Sequence, residues 1–268
     1  MSQEIASPQT QDAGAEILRH GLQELGLTIP EGVDQKLLRY LDRVLETNQV
    51  MNLTSITDRT EAIHKHLIDS LSVKLLKSWD FPEQAAWMDI GTGAGFPGFV
   101  LALSNPSATV DLVESTLKKA HFLNLLCAEF GLLQRVRIHS DRAEKLAAKA
   151  SPAAAGSPAS RETISTLRES LDAVLFRGVS RIASLVELGA PFLKVGGIIV
   201  AYKGPKAQDE LKEATKAMLE LKFELAEKID FTLPGVQEAR SLVCLRKLAV
   251  TPKRFPRTIG LAQKEPIL

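Results

Sequence analysis

Cysteine and long apolar segments are the features this sequence has least of. It contains only two cysteines, Cys127 and Cys244, and each lies in an apolar stretch. Two isolated thiols exclude a disulfide framework and are typical of a reducing cytoplasm. The longest apolar runs, Gly98–Leu103 and Gly196–Tyr202, are far shorter than the roughly 20 residues that span a bilayer. Because residues 1–14 are polar and resemble no secretory signal, we expect a cytoplasmic protein without a membrane partner.

Net charge is also nearly absent. The 268 residues include 33 basic and 32 acidic side chains, for a formal net charge of +1. This balance gives no global attraction for a polyanion, so any surface that binds nucleic acid must be a local patch. Hydrophobic residues make up 45% of the chain, which excludes global disorder and predicts a sizeable core.

Changes in composition and periodicity divide the sequence into segments. Apolar residues at helical spacing, among them Leu37, Leu41 and Val44, continue from Ala15 to about Lys77. A later run rich in proline, alanine and serine predicts a flexible surface insertion. The predicted segments are a disordered tail (1–14), an N-terminal helical region (15–82), a main domain (83–247) containing the insertion (151–170), and a basic C-terminal tail (248–268).

The main domain alternates short apolar runs with helical patterns. We predict strands at Ala86–Ile90, Val110–Val113, Val136–His139, Ala173–Phe176, Ile198–Tyr202, Phe223–Leu233 and Leu242–Arg246. We predict helices at Phe99–Leu103, Leu117–Phe130, Ala143–Ala150, Ile182–Leu193 and Gln208–Leu219. This alternation predicts an α/β, Rossmann-like fold with a mostly parallel sheet covered on both faces. Only a short Pro-Gly loop separates the last two strands, so we expect them to pair antiparallel.

A glycine-rich turn follows the first strand. It runs from Asp89 to Gly98 and contains Gly91, Gly93 and Gly95 between a strand and a helix, the context in which such turns bind nucleotide cofactors. Glycines let the backbone approach an adenosine without a Cβ in the way. The spacing of Gly93, Gly95 and Gly98 also fits a dinucleotide. The glycines alone therefore leave NAD and S-adenosyl-L-methionine open.

Acidic residues near the strand ends help to distinguish these cofactors. Glu114 ends the second strand, where a carboxylate can accept both ribose hydroxyls, although it does so in NAD enzymes too. Asp141 and Glu144 follow the third strand, near the expected position of an adenine, although interaction with the N-terminus of the next helix alone would also account for them. Asp89 precedes the glycines, and a carboxylate there favours a cationic sulfonium over a pyrophosphate. Together with the terminal antiparallel pair, these acids predict S-adenosyl-L-methionine and a class I methyltransferase fold.

From about Tyr40 to its end, the chain resembles the RsmG family, also called glucose-inhibited division protein B. The resemblance rests on the glycine turn and on Asn52-Leu53-Thr54, His66-x-x-Asp69-Ser70-Leu71, Arg142-Ala143-Glu144, Arg177, Lys203-Gly204, Phe255-Pro256-Arg257-x-x-Gly260 and Pro266-x-Leu268. It implies S-adenosyl-L-methionine-dependent methylation of guanine N7 in the 530 loop of 16S ribosomal RNA, by a class I fold with an N-terminal helical extension. The implied partner is this RNA, in the 30S subunit or an assembly intermediate.

The resemblance also implies which residues bind the cofactor. It places contacts at Gly91 and Phe96 in the turn, at Ala143 and Glu144 after the third strand, and at Arg177 after the fourth. Guanine N7 is a ring lone pair that carries no proton, and the transfer is an in-line displacement governed by orientation. We therefore expect no catalytic side chain.

The sequence has few features of a metal site or of two other function classes. His66 and Asp69 share one helical face and His64 points elsewhere, so at most two ligands meet and no metal site is expected. A nicotinamide-dependent oxidoreductase would need a proton-donating His or Tyr, and Tyr40 and Tyr202 lie in no such motif. A non-catalytic ribosome-binding protein that keeps the methyltransferase fold also remains open.

The basic tail is the predicted contact for RNA phosphates. Between Arg246 and Lys264 the sequence has six basic residues and no acidic one, with Phe255 among them as a stacking surface. The predicted RNA contacts are Lys253, Arg254 and Arg257 in the tail, with Lys203, Asn52 and His66 in the cleft. The alternative for the tail is that it docks on the protein and closes the fold. The alternative for Asn52 and His66 is a role in capping or inter-helix hydrogen bonds.

Overall fold

The computed structural model describes residues 8–79, 84–149 and 167–268 of the chain. Most of the predicted insertion, residues 151–166, lies outside the described residues, and its flexibility stays a prediction. The described part contains a seven-stranded sheet with helices on both faces and a helical region before the first strand.

The sheet determines where the functional residues meet. Its strands are β1 (Ala86–Ile90), β2 (Thr109–Val113), β3 (Val136–His139), β4 (Leu171–Arg177), β5 (Leu193–Lys203), β6 (Phe223–Leu233) and β7 (Glu238–Lys247). Their order is β3-β2-β1-β4-β5-β7-β6, and all neighbours are parallel except β7, which is antiparallel to both β5 and β6. The strand order reverses between β1 and β4, so the carboxyl ends of these strands form the crevice in which α/β folds bind ligands.

Helices cover both faces of the sheet. They are α1 (Pro8–Glu24), α2 (Val33–Asn48), α3 (Arg59–Ala62), α4 (Asp69–Leu71), α5 (Gly98–Ser104), α6 (Leu117–Glu129), α7 (Ala143–Lys149), α8 (Ile182–Gly189), α9 (Ala207–Glu213), α10 (Thr215–Leu221) and α11 (Leu261–Lys264). The N-terminal helices pack with α5 and α6 in one hydrophobic core, and α7, α8 and α10 belong to the other. Within the described ranges, no helix is long and apolar enough to cross a bilayer.

The N-terminal helical region agrees with the apolar spacing and differs in two details. In α2 the residues Leu37, Leu41 and Val44 are fully buried, as their three- and four-residue spacing predicts. The disordered tail predicted for residues 1–14 is wrong for residues 8–14, because α1 begins at Pro8. Between α3 and α4 the chain forms a π-helical turn, Ile63–Ile68. The apolar spacing does not distinguish this turn from an α-helix.

The predicted strands and the antiparallel end pair are confirmed, with corrections at some ends. The bounds of β1, β3 and β6 match the prediction. Strand β5 begins at Leu193, five residues earlier than predicted, because residues 194–196 are exposed and form no apolar run that indicates a buried strand. The helix predicted at Gln208–Leu219 is two helices, α9 and α10, separated at Ala214.

Candidate cofactor site and substrate cleft

The turn after β1 is held open by its glycines. The backbone N–H groups of Gly91 and Thr92 donate to the Val113 carbonyl at 2.9 and 3.1 Å, which ties the turn to the end of β2. A Cβ on Gly95 would lie 2.7 Å from the Tyr40 hydroxyl, so packing demands glycine there. Gly93 has a φ of +62°, and a Cβ on it would meet nothing within 4 Å. Its open face is the part of the turn that can receive a ligand.

Asp89 braces this turn from inside. Its Oδ2 accepts hydrogen bonds from the Thr92 hydroxyl at 2.6 Å and from the Gly98 backbone N–H at 2.8 Å. The side chain is fully buried, and Oδ1 has no hydrogen-bond partner among the described residues. Burial raises the pKa of this carboxyl from 3.8 to about 6, against the two hydrogen bonds. The carboxylate predicted to lie near the cofactor therefore fixes the shape of the turn, and its contact with a cofactor stays a prediction.

Replacement of Asp89 by Asn should change how stability depends on pH. The folded state binds a proton on the Asp89 carboxyl more tightly than the unfolded state does. Asp89 therefore contributes stability that is present below pH 4 and lost as the pH rises to about 6. An amide cannot ionise, so the stability of Asp89→Asn relative to wild type should rise by up to about 3 kcal/mol across that window. Urea unfolding of both proteins between pH 4 and 8 measures this difference. A difference that is independent of pH would contradict it.

Glu114 has the geometry expected of a ribose-binding carboxylate. It follows β2 directly and is 7% exposed. Its Oε2 accepts the Gly93 N–H at 3.1 Å and its Oε1 accepts the Thr116 N–H at 2.7 Å. A carboxylate has about four acceptor positions, so each oxygen retains capacity for one further donor. Two donating hydroxyl groups beside Gly93 fit these free acceptor positions, so the residues present suit an adenosine.

Ala143 and Glu144 begin α7 at the carboxyl end of β3, as predicted, and both are buried. The Glu144 side chain, however, turns to the C-terminal tail: its Oε1 accepts the Gly260 N–H at 2.8 Å. The local sequence pattern did not indicate this contact between residues 116 positions apart.

Phe96, His66 and Arg177 come together beside the turn. The His66 imidazole stacks on the Phe96 ring, with centroids 4.4 Å apart and planes 13° apart. The Arg177 guanidinium carbon lies 5.3 Å from the centre of the Phe96 ring. Its Nη1 donates to Asp69 Oδ2 at 3.0 Å and to the Lys65 carbonyl at 3.1 Å. The structure therefore unites residues from the turn, the helical region and β4 in one cluster.

His66 is neutral in this cluster. Burial, with the positive charge of Arg177 beside it, lowers the pKa of the imidazole from 6.5 to about 3. Its Nε2 lies 2.9 Å from the Thr54 hydroxyl, and Asn48 Oδ1 accepts the Thr54 N–H at 2.9 Å. The predicted RNA contact Asn52 is exposed on the same loop. His66 thus has a structural hydrogen bond, between the π-helical turn and the loop before α3, as in its alternative role.

Comparison with known proteins identifies the family. The family model described as "GidB: rRNA small subunit methyltransferase G" matches residues 33–233. The chain belongs to this family. Its relatives include "Ribosomal RNA small subunit methyltransferase G" of Lachnoclostridium phytofermentans, 38% identical over 92% of this chain and 95% of the relative. The protein of the same name from Limosilactobacillus reuteri is 36% identical over 94% of this chain and 98% of the relative.

Membership in the GidB family confirms the resemblance predicted from the motifs and the class I methyltransferase fold. It also decides against the nicotinamide-dependent oxidoreductase. Among solved structures, M. jannaschii TYW2 in complex with AdoMet is 16% identical, covers 67% of this chain and 77% of that chain, and has a TM-score of 0.46. The family assignment depends on the sequence matches alone.

In this GidB family chain, Tyr40 of α2 supports the glycine turn. It is fully buried, and its hydroxyl donates to the Ala94 carbonyl at 2.9 Å. Its ring stacks on Phe99 with centroids 4.6 Å apart. Sequence reasoning missed this role, although Tyr40 lies in the apolar stripe of α2 between Leu37 and Leu41 and could have been placed in the core on that basis.

Tyr40→Phe should weaken cofactor binding with little change in packing. The ring stays, and the turn loses one hydrogen bond to Ala94, so the Kd for S-adenosylhomocysteine should rise about threefold to tenfold. Calorimetric titration measures this. Tyr202→Phe is the matched control, because the Tyr202 hydroxyl is also buried but donates to the Ser70 carbonyl at 2.7 Å and not to a residue of the turn. Equal effects of the two substitutions would show that Tyr40 acts through general stability.

The basic tail docks on the protein. Arg257 donates through Nε and Nη2 to both carboxylate oxygens of Glu187, the shortest contact being 2.6 Å, and the Glu187 side chain is 1% exposed. Lys203, also a predicted RNA contact, lies 2.7 Å from Glu210 Oε2. Each of these two charges pairs with a carboxylate of the fold, which favours the docked alternative for the tail, and the RNA contacts of Lys203 and Arg257 stay predictions. Lys253 and Arg254 are exposed, and Arg254 forms a surface pair with Glu220 at 3.0 Å.

Within the described part of the chain, no group of three or more His, Cys, Asp or Glu side chains is arranged to hold a metal ion. The free cysteines, Cys127 and Cys244, are both buried, and burial raises the pKa of each thiol. Neither has the depressed pKa that makes a thiol a nucleophile.

Proposed function

We propose that this chain transfers a methyl group from S-adenosyl-L-methionine to N7 of a guanine in the 530 loop of 16S ribosomal RNA. The substrate RNA is presented by the 30S subunit or by an assembly intermediate. The observation that carries the proposal is the open face of Gly93 beside Glu114, whose buried carboxylate keeps acceptor capacity on both oxygens. Family membership supports small-subunit ribosomal RNA as the substrate.

The residues of the site would bind and orient the two reactants. S-adenosyl-L-methionine supplies an electrophilic methyl group on a sulfonium. Glu114 would accept the ribose hydroxyls, the turn at Gly91 and Gly93 would lie along the adenosine, and the start of α7 would border the adenine. Asp69 pairs with Arg177 at 3.0 Å and with Arg240 at 3.4 Å. Glu238 offsets the charge of Arg240, so the neighbouring cluster is close to neutral and does not repel a cationic cofactor.

Methylation at N7 fits the protonation state of the cluster. An imidazole with a pKa of about 3, as in His66, is too weak a base to remove a proton from an amine. A ring nitrogen with a free lone pair needs no such base, and alignment of nucleophile, carbon and sulfur is the main requirement. The flat Phe96–His66 stack offers a planar surface against which a base can be positioned.

Gly93→Val tests the cofactor site. The added side chain would occupy the open face of the turn, so binding of S-adenosylhomocysteine should be lost in calorimetry. Gly131→Val is the matched control: Gly131 has a φ of +66°, nothing lies within 4 Å of its Cβ position, and it follows the far end of α6. This variant carries the same backbone strain and should bind like wild type. Retained binding by Gly93→Val, or binding of NADH by the wild-type protein, would contradict the proposal.

A further inference from the structure

Residues 255–264, which we call the C-terminal strap, connect two helices of the same core. At α8, Arg257 pairs with Glu187 and the Ser184 hydroxyl donates to the Ala262 carbonyl at 2.7 Å. At α7, the Gly260 N–H donates to Glu144 at 2.8 Å. Phe255 and Ala262 are 2% and 1% exposed, so the strap is part of the packed fold.

Glu144 is the point where the strap meets the cofactor site. It lies in the first turn of α7, the helix that follows the strand whose carboxyl end borders the expected adenine. Its side chain is buried, and a hydrogen bond from a backbone N–H to a carboxylate is stronger than one between neutral groups. This bond fixes the side chain and, through it, the backbone of Ala143 and Glu144.

We infer that Glu144 is a positioning residue that couples docking of the C-terminal strap to binding of the cofactor. The carboxylate acts through Gly260 and not by touching the adenine: with the strap docked, the backbone at Ala143 and Glu144 is held in the orientation that receives the cofactor. Coupling between two sites is reciprocal, so the bound cofactor must hold the strap more firmly by the same factor. The inference rests on the proposed cofactor site.

Three variants separate this role from a direct contact. Glu144→Ala removes the acceptor for Gly260, whereas Glu144→Gln keeps a carbonyl oxygen that can accept the same N–H. Arg257→Ala loosens the strap at α8, on the side away from Glu144. If Arg257→Ala does not purify in folded form, Ser184→Ala removes the milder contact to Ala262.

Calorimetry with S-adenosylhomocysteine gives the first measurement. We expect Glu144→Ala to bind about tenfold more weakly, within the usual range of coupling between sites. Glu144→Gln should recover most of the affinity, and Arg257→Ala or Ser184→Ala should weaken binding although neither residue borders the cofactor site. In the Glu144→Ala background these strap variants should have no further effect. If Glu144→Gln is as weak as Glu144→Ala and the strap variants bind like wild type, Glu144 touches the cofactor directly and the inference is wrong.

Proteolysis of the strap gives the second measurement. The Lys264 side chain is exposed at the end of α11, and a protease cuts the backbone there only when this segment opens, so a lysine-specific protease reports strap opening. S-adenosylhomocysteine should slow cleavage at Lys264 in the wild type about tenfold, the same factor as above, and should not slow it in Glu144→Ala. Equal protection of both proteins from cleavage would overturn this inference and leave the proposed function unaffected. A wild-type protein that does not bind S-adenosylhomocysteine would instead overturn the proposed function.

Discussion

Lys247→Ala is expected to lower the free energy of unfolding by about 3–5 kcal/mol, the usual cost of breaking a buried ion pair. The Lys247 side chain is fully buried, and its ammonium donates to Glu169 Oε1 at 2.7 Å and to the carbonyls of Ala190 and Leu193 at 2.8 and 2.6 Å. Burial lowers the pKa of this ammonium, against the Glu169 hydrogen bond. The substitution leaves three acceptors without their shared donor.

Urea unfolding at pH 7 measures the change, and two variants serve as controls. Lys247→Met keeps the apolar stem, so the decrease in its free energy of unfolding reports the missing charge and hydrogen bonds. Lys216→Ala removes an exposed lysine on α10 and should change stability by no more than about 0.5 kcal/mol. If Lys247→Ala behaves like Lys216→Ala, the buried ammonium does not hold β7 to the rest of the fold.

Arg257→Ala is expected to cost about 3 kcal/mol of stability, because it removes the guanidinium from the buried Glu187 carboxylate and leaves it only the backbone N–H of residue 257. The lower end of the range for buried pairs applies, since the Arg257 side chain is 27% exposed. Arg254→Ala is the matched control: it removes a surface pair whose arginine is 65% exposed and should cost no more than about 1 kcal/mol. Replacing both Arg257 and Glu187 by apolar residues should recover most of the loss.

The same variant tests the RNA contact predicted from the tail sequence. An arginine that binds a phosphate lowers the salt slope of RNA binding by about 0.7–0.9 when it is removed. Because Arg257 is engaged with Glu187, we expect the salt slope of Arg257→Ala to equal that of wild type while its stability falls. A lower salt slope of RNA binding with unchanged stability would contradict the docked tail and support the predicted RNA contact of Arg257.

The sequence predicted those parts of the site that depend on local pattern. Three features can be located from a few consecutive residues: the β1 bounds, the glycine turn and the position of Glu114. Each depends on a short apolar run, a cluster of glycines or the end of the next apolar run. The antiparallel β6–β7 pair follows from the short loop between Leu233 and Glu238.

Long-range contacts could not be predicted in this way. The hydrogen bond from Tyr40 joins residues 54 positions apart, and the Arg257–Glu187 pair joins residues 70 positions apart. A basic residue in a tail has the same local pattern whether it binds a phosphate or a buried carboxylate, because the acidic partner lies elsewhere in the sequence. The folded chain alone distinguishes these cases, and for Arg257 it favours the carboxylate.

The central claim is methyl transfer to guanine N7, and mapping the methylated base tests it most directly. Wild-type protein and Gly93→Val are each incubated with S-adenosyl-L-methionine labelled on the methyl group and with 30S subunits that lack the modification. The modified nucleotide is then located by chemical cleavage specific for N7-methylguanine. We predict label on one guanine of the 530 loop with the wild type and none with Gly93→Val. Label on another atom or another loop would contradict the proposed specificity, and no label with a protein that still binds the subunit would identify a non-catalytic ribosome-binding protein.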